Sequence, residues 1–504
     1  MKQVPVSRSV SLFASQNDTE SGFAPGQASE QLIKRILDPR DSFSSQIQDI
    51  AIEDWAEEDG EEKLYKILNS LEGLESFSWN STAHIPKSVL DLFHTRFPNA
   101  RVCVSNISRG REIEGPFDTS MDVELLASPQ LYSLEYTILC QKLEEDLSEF
   151  SVLTQILLQS KNLRVLRLGC DFDSRLQIKD HQHLYARFGT DGTGPLNLCL
   201  KVGDKFPPLE ELVLIPPMDK YSKQLYQLSR DHCVALRECM DWTKIRVLDL
   251  RRTSSHVFFA ELAGHIPNVK SLSFTILNLN VSYQSPGYVQ SATVEFLESL
   301  TDLEELHINN QSMQYFPKFW PIIQRHAATL QKLSMDVPED QSGMATVEEP
   351  TRAVFRLPYV LSSLRRLSKL PMNAKADTQQ SDQEVLYDHS IRLNISFFKM
   401  RAFPSLRTLH ISLNIPTPSS FQLGLNANTI EKLVETIFCN FFQDNPDSKM
   451  EQLGFTVRRI LPGSFGDAGL ETVVVKVKRS SENVVLKLNE GGYESFAEKN
   501  VLSV

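Results

Sequence analysis

Long apolar runs are missing from this chain: no stretch approaches the roughly 18 consecutive apolar residues that a membrane-spanning helix needs. A secretory signal is missing too. Lys2 and Arg8 stand near the N-terminus, but no apolar core of about 7–15 residues follows them. Cysteine is scarce, at seven residues in 504, irregularly spaced and without a Cys-x-x-Cys pair. That excludes a zinc framework and points to a reducing compartment. Positive charge is in deficit: the net charge is −12 and the pI is near 5.5. Such a balance argues against nucleic acid or an anionic membrane as partner. Together these absences describe a water-soluble chain with a cytoplasmic or nuclear address.

Catalytic signatures are also absent. The sequence holds no Gly-x-Ser-x-Gly elbow, no His-Glu-x-x-His and no kinase motif set. Gly189–Gly194 is glycine-rich, but it lacks the Gly-Lys-Ser/Thr ending of a phosphate loop. Asp171, Asp173, Asp180, His181 and His183 crowd one segment, and His-x-His beside carboxylates is metal-ligand chemistry. Their spacing matches no defined site, so an exposed polar loop is the expectation, with no metal and no cofactor. Seven of the ten residues from Glu53 to Glu62 are acidic, which reads as a solvated loop between structural units. An enzyme is not expected.

What the chain does have is repetition. An apolar triplet of spacing i, i+3, i+5 recurs as Leu163-Leu166-Leu168, Leu209-Leu212-Leu214, Ile245-Leu248-Leu250, Val269-Leu272-Phe274, Leu303-Leu306-Ile308 and Leu406-Leu409-Ile411. Further copies are Ile47-Ile50-Ile52, Leu74-Phe77-Trp79, Leu131-Leu134-Tyr136, Leu330-Leu333-Met335 and Met450-Leu453-Phe455. By chance alone a triplet would arise about 35 times in a chain this apolar, so the context carries the signal. Phe206–Leu214, Ile266–Phe274 and Phe403–Ile411 share an apolar residue and a proline ahead of the triplet, followed by a polar residue in the last two. Stretches of helical spacing come before the triplets, as at Lys87–Phe97, Ser151–Ser160, Val257–Ile266, Ala292–Leu300 and Phe319–Ala328.

Ala100-Cys103-Ser105 and Leu364-Leu367-Lys369 are weaker candidates that fill two wide gaps, and Cys103 is then expected to be a small core filler. The intervals run from 24 residues (Ile245 to Val269) to 46 (Leu163 to Leu209). A unit of one strand and one helix cannot bury its apolar face alone, so neighbours must stack. The expected fold is α/β: a leucine-rich repeat solenoid, or horseshoe, with a parallel sheet on its concave face and helices on its convex face. Residues 1–28 read as a disordered tail and 29–46 as a helical cap. The array spans 47–461, with loop insertions near 171–205, 338–350 and 374–384. A helix is expected at Thr429–Phe442. Thr472–Val477 and Asn483–Leu488 alternate like an antiparallel hairpin, so 462–504 reads as a small C-terminal α+β cap.

Side chains alternate along a strand, so the residues between the triplet positions face outward. The outward set is Val165, Arg167 and Gly169; Val247, Asp249 and Arg251; Ser271, Ser273 and Thr275; Glu305, His307 and Asn309; Lys332, Ser334 and Asp336; and Thr408, His410 and Ser412. Of these, Arg167, Asp249, Arg251, Glu305, His307, Asn309, Lys332, Asp336 and His410 are the candidate contacts to a protein partner, with arginine as the favoured donor.

Several phrases carry a family resemblance: Gly73-Leu-Glu-Ser-Phe-Ser-Trp-Asn-Ser (73–81), Ile-Pro-Lys-Ser-Val-Leu (85–90), Arg-Phe-Pro-Asn-Ala-Arg (96–101) and Pro129-Gln-Leu-Tyr-Ser-Leu-Glu-Tyr-Thr-Ile (129–138). With Ser160–Leu168, Gly203–Leu212 and Cys239-Met-Asp-Trp (239–242), they resemble a large family of filamentous-fungal leucine-rich repeat proteins of the F-box type. The resemblance covers roughly residues 29–370. It implies a ubiquitin-ligase substrate receptor, in which an F-box grips the adaptor of a cullin-based ligase and the repeats hold a target. The Leu-Pro-headed helical bundle of an F-box is not found ahead of the array; Val6–Ala14 resembles only its tail. The alternative expectation is a stand-alone intracellular leucine-rich repeat binding module with no ubiquitin role.

Overall fold

The computed structural model describes residues 9–13, 25–53, 60–81, 84–108, 122–140, 147–172, 198–215, 226–276, 286–310, 316–337, 404–415, 449–460, 470–479 and 484–488. They fall into two compact units, Met1–Asn268 and Val269–Val504, and each is described by itself.

In the first unit the strands are β1 (Ser9–Phe13), β2 (Asp49–Glu53), β3 (Ser76–Asn80), β4 (Arg101–Ser108), β5 (Leu131–Cys140), β6 (Val165–Phe172), β7 (Glu211–Ile215), β8 (Tyr226–Gln227) and β9 (Val247–Ser254). Each of β1 to β6 pairs in parallel with the next, and β7 and β8 both pair with β9. Helices alternate with the strands, among them Pro25–Leu37, Gly60–Ser70, Lys87–Arg96, Leu147–Leu157, Arg230–Cys239 and His256–Leu262. The strand path is open at β1. This is an α/β architecture with a parallel sheet.

The triplets build the core as their spacing requires. Leu166 pairs in register with Leu212, and Leu212 with Leu248; each is fully buried, as are Leu163, Leu168 and Leu250. Every such leucine contributes about 1.5–3 kcal/mol of transfer free energy. The helix Lys87–Arg96 buries Val89, Leu90, Leu92 and Phe93, the i, i+3, i+4 stripe of an amphipathic helix. Phe93 stacks at 4.3 Å from Phe77 of β3 and 5.7 Å from Phe97.

Entry into β3, β7 and β9 is fixed by the backbone. Arg164 offers one carbonyl to two successive amides, Glu210 and Glu211, at 2.7 and 3.0 Å. Gln48 does the same for Glu75 and Ser76, and Glu210 for Arg246 and Val247. The side chains at these entry positions interact as well: Gln48 donates to Glu75 at 3.0 Å, Arg101 lies over the Tyr132 ring at 4.7 Å, and Arg164 and Glu210 approach to 4.0 Å.

Three expectations need correction in this unit. The tail 1–28 is not structureless throughout: Ser9–Phe13 is β1, in register with β2, and it buries Val10 and Leu12. Cys103 is not a core position. Val102 and Val104 occupy the register of Phe77 and Trp79 and are buried, while Cys103 pairs with Ser78 on the opposite face and is half-buried. The register that pairs Ser76 with Arg101 puts the polar Asn99 at the position of Leu74, so the apolar spacing shifts by one to Ala100. A one-residue slip sends every side chain to the other face.

The third correction concerns the insertion near 171–205. Residues 173–197 lie outside the described set, but Leu198 and Phe206 are buried. The Leu198 amide donates to Nε2 of His232 at 3.4 Å, and the Phe206 amide to the Cys239 carbonyl at 2.9 Å. That stretch is tied to the helix Arg230–Cys239, whose N-cap is Ser229.

The second unit comprises β10 (Ser271–Ile276), β11 (Glu305–Asn310), β12 (Lys332–Val337), β13 (Thr408–Ile415), β14 (Gln452–Ile460), β15 (Leu470–Arg479) and β16 (Val484–Leu488), with helices at Pro286–Ser299 and Phe316–Arg325. Strands β10 to β14 are parallel. Leu272, Leu306, Leu333, Leu409 and Leu453 form one register column, and all five are buried. The paired-amide entry returns at Lys270, Glu304, Gln331 and Arg407. The expected hairpin is present as β15 and β16, with Val475 opposite Leu488. Strand β15 also runs antiparallel to β14, with Phe455 opposite Val475. The expected insertions 338–350 and 374–384, the triplet at Leu364 and the helix Thr429–Phe442 lie outside the described residues.

Candidate interaction face

The faces opposite the leucine columns carry the candidate contacts, and each unit has its own. In the first unit Glu135, Arg167, Val213 and Asp249 stand in one register column. Ser133, Val165, Glu211 and Val247 form the column beside it. Arg167 is the centre. Its Nε donates to Glu211 Oε1 at 2.7 Å and its Nη1 to Glu135 Oε2 at 3.5 Å. Arg167 and Glu211 are both 18% exposed, so this trio is desolvated enough to be worth more than a surface pair. Arg251 continues β9 two residues beyond Asp249; its side chain lies outside the described ones.

Arg167 was expected to be a donor to a partner, yet carboxylates of its own sheet already occupy it. Glu135 and Glu211 were missed as site residues. The signal was present, since each sits at an outward strand position next to a triplet leucine. Missed as well is a polar row at the strand exits, in which Asn80 donates to Glu53 at 2.8 Å and Ser105 donates to the Asn80 carbonyl oxygen.

In the second unit Ser271, Glu305, Lys332 and Thr408 share a column. Lys332 Nζ meets Glu305 Oε1 at 2.5 Å, and the Ser271 hydroxyl donates to Glu305 Oε2 at 3.3 Å. Ser273, His307, Ser334, His410 and Gly454 form the next column, and Thr275, Asn309, Asp336, Ser412 and Thr456 the third. His307 and Asn309 are half-buried and Lys332 is exposed. The side chain of Asp336 lies outside the described ones.

His410 departs from expectation. It occupies an outward register position but is only 4% exposed, and its Nε2 is 3.1 Å from the Thr456 hydroxyl. Thr275 is buried too. Alternation fixes which way a side chain points, not how buried it is, so neither residue offers a surface.

At the strand entries of this unit, Lys270, Glu304, Gln331, Arg407 and Lys449 line a polar groove of about 480 Å³. Its functional groups are largely committed. Lys270 pairs with Glu304 at 2.6 Å and Arg407 with Glu451 at 3.0 Å. The Thr329 and Ser405 hydroxyls donate to the Leu303 and Ala328 carbonyls.

Among the described residues no three His, Cys, Asp or Glu side chains are placed to hold a metal. Asp173, Asp180, His181, His183 and Gly189–Gly194 lie outside that set, as do most of the acidic residues between Glu53 and Glu62. The cysteines whose side chains are described, Cys103, Cys199, Cys233 and Cys239, are free thiols. Burial pushes the Cys233 thiol up to about 12 and raises that of Cys103, the opposite of what a nucleophilic cysteine requires. Burial also brings His232 down to about 4, which keeps it a neutral acceptor for the Leu198 amide. No helix among the described residues is long and apolar enough to cross a membrane. No family model matches the sequence, and no curated protein matches it.

Proposed function

We propose that this chain is a non-enzymatic protein-interaction scaffold built on the leucine-rich repeat plan, the recognition half of an F-box-type receptor. The observation that supports this reading is that buried leucine columns, such as those through Leu166 and Leu306, alternate with partly exposed columns that carry charged and polar side chains such as Arg167, Glu211, Glu305 and Lys332. A repeated unit of that kind presents a broad face, and broad faces with interspersed charge recognise proteins. The expected address is cytoplasm or nucleus. The groups on the face are ion pairs, amides and hydroxyls in contact with one another, an arrangement suited to positional recognition.

A second reading, a stand-alone module without a ubiquitin link, is favoured by one observation. The segment Val6–Ala14 resembles the tail of an F-box, yet Ser9–Phe13 is a strand of the repeat sheet. A helical bundle cannot use those residues at the same time.

Both readings meet in one experiment. The tagged full-length chain is purified from its native cells beside two variants, His307→Ala on the face and Lys66→Glu on the helix Gly60–Ser70. Partners identified by mass spectrometry should persist with Lys66→Glu and fall away with His307→Ala. Partners indifferent to His307→Ala but lost with Lys66→Glu would move the site to the helices. The cullin-ligase adaptor among the partners selects the receptor; its consistent absence, with other partners kept, selects the stand-alone module.

A further inference from the structure

Charge at the strand entries of the first unit is sorted by strand. Glu72 and Glu75 stand at the entry of β3, Arg96 and Arg101 at that of β4, and Lys161 and Arg164 at that of β6. Residues 128–133, at the entry of β5, carry no charge, and Asp204, Lys205, Glu210 and Glu211 stand at the entry of β7. The entries on either side of β5 therefore hold four cations and no carboxylate, in a chain whose net charge is −12. Asp49 is in register with Ser76 and Ser76 with Arg101, which puts that carboxylate's strand about 10 Å from Arg101.

Three of the four cations have no acidic partner among the described residues. Arg96 is committed to neutral groups, the Asn69 side-chain oxygen at 2.5 Å and the Leu71 carbonyl at 2.9 Å. Lys161 is exposed and forms no ion pair there. Arg101 is exposed too, and its guanidinium lies 4.7 Å from the centre of the Tyr132 ring with no carboxylate beside it. Arg164 is held in place, its Nη1 donating to the Lys161 and Leu163 carbonyls at 3.0 and 2.8 Å, and its Nε is 4.0 Å from Glu210.

Tyr132 meets Arg101 at a bulge. Pairing passes from Val102–Leu131 to Cys103–Ser133, which leaves Tyr132 as an extra residue of β5 with no counterpart on β4. Bulges of this kind re-aim a side chain. The ring is half-buried under Arg101, and Arg164, whose amide donates to the Tyr132 carbonyl at 2.8 Å, flanks it on the other side. A guanidinium laid over an aromatic face is restrained, yet it keeps its in-plane N–H donors for a carboxylate. Arginine and tyrosine are also among the side chains enriched at binding hot spots.

Resting on the interaction-scaffold reading above, we infer that the entries of β4, β5 and β6 dock an acidic protein segment, whose Asp or Glu carboxylates pair with Arg101 and Arg164 across the Tyr132 ring. Lys161 adds to the field that draws the segment in. Glu72 and Glu75 on one side and Glu210 and Glu211 on the other bound the patch. A short run of carboxylates fits between them, whereas a nucleic-acid backbone would carry its phosphates on into those acids.

The test is selection of short random peptides on the immobilised full-length chain, followed by anisotropy titration of a selected peptide at low and high salt. The expected result is enrichment of Asp and Glu, with binding that weakens as salt rises. Arg101→Glu, at an exposed position, should weaken binding by roughly tenfold or more. Arg101→Lys keeps the charge but not the fork, and should weaken binding a few-fold with the salt dependence retained. Enrichment of basic or uncharged peptides overturns the inference, as do acidic peptides that bind Arg101→Glu like the wild type. Displacement of the peptide by an equimolar short oligonucleotide overturns it too. Peptides lost on Lys332→Glu but not on Arg101→Glu overturn the inference, keep the scaffold reading and place recognition in the second unit. No enriched sequence at all overturns the inference; the scaffold reading then stands or falls on the His307→Ala purification.

Discussion

Acid should loosen the first unit through one histidine. His232 is buried on the helix Arg230–Cys239, accepts the Leu198 amide at Nε2, and has its protonation pushed from 6.5 down to about 4 by burial. In the unfolded chain it titrates near 6.5. As pH falls below 6.5 the unfolded state takes up a proton that the folded state refuses, so stability drops. The loss continues to about pH 4, where both states are protonated, and it is absent above 6.5. A displacement of this size amounts to about 3 kcal/mol in full and about 2 kcal/mol at pH 5.

The assay is urea unfolding followed by tryptophan fluorescence between pH 7.5 and 4.5. Trp242, whose Nε1 donates to the Leu236 carbonyl of the same helix, is a local reporter. His326 in the second unit is also lowered by burial, partly opposed by its contact with the Leu297 carbonyl, so the wild-type profile alone would mix two groups. His232→Gln isolates one of them, because glutamine keeps an acceptor for the Leu198 amide and does not titrate. The difference between wild type and His232→Gln should shrink by about 2 kcal/mol from pH 7.5 to pH 5. Parallel profiles would refute the reasoning and put water or a charge beside the imidazole.

Three other outcomes follow from the packing. A Cβ on Gly454 would meet His410 Nδ1 at 2.5 Å, so Gly454→Ala should destabilise by about 1–3 kcal/mol. In a His410→Ala background most of that loss should vanish, a coupling read from a double-mutant thermal melt. Leu166→Ala empties a fully buried column position and should lose about 2–5 kcal/mol in chemical denaturation. Gln130 is buried and its Nε2 donates to the Phe97 and Ala100 carbonyls at 2.5 and 3.0 Å; Gln130→Ala should lose about 1–3 kcal/mol, measured the same way.

The core was legible because it repeats. A leucine at a fixed offset from a proline-marked helix end identifies a strand and its inner face, and the columns through Leu166 and Leu272 follow it. Strand β4 was misread because its signal depends on a residue, Asn99, that is not apolar, so the next best alignment promoted Cys103. Strand β1 was overlooked because two buried residues, Val10 and Leu12, in a polar tail are a weak period-two signal. The outward positions of Arg167, Glu305 and Lys332 were correct as register, but their partners depend on which strands become neighbours. Glu211 lies 44 residues from Arg167. His410 failed for a different reason, because its ring lies against Gly454 and Thr456 of the neighbouring strand, and Thr456 is 46 residues away.

The paired amides at the entries of β3, β7, β9 and β11 to β14 bear on how such a chain tolerates change. One carbonyl, read by two successive N–H groups, indexes each of these strands against the last before its first side chain is laid down. Whatever lies between a strand's exit and the next helix therefore has no say in alignment. Lengthening that connection adds only closure entropy, about 0.6 kcal/mol per doubling. A gene of this design can gain or lose tens of residues at strand exits and keep its frame, whereas one residue added between Leu163 and Leu166 would misalign the column.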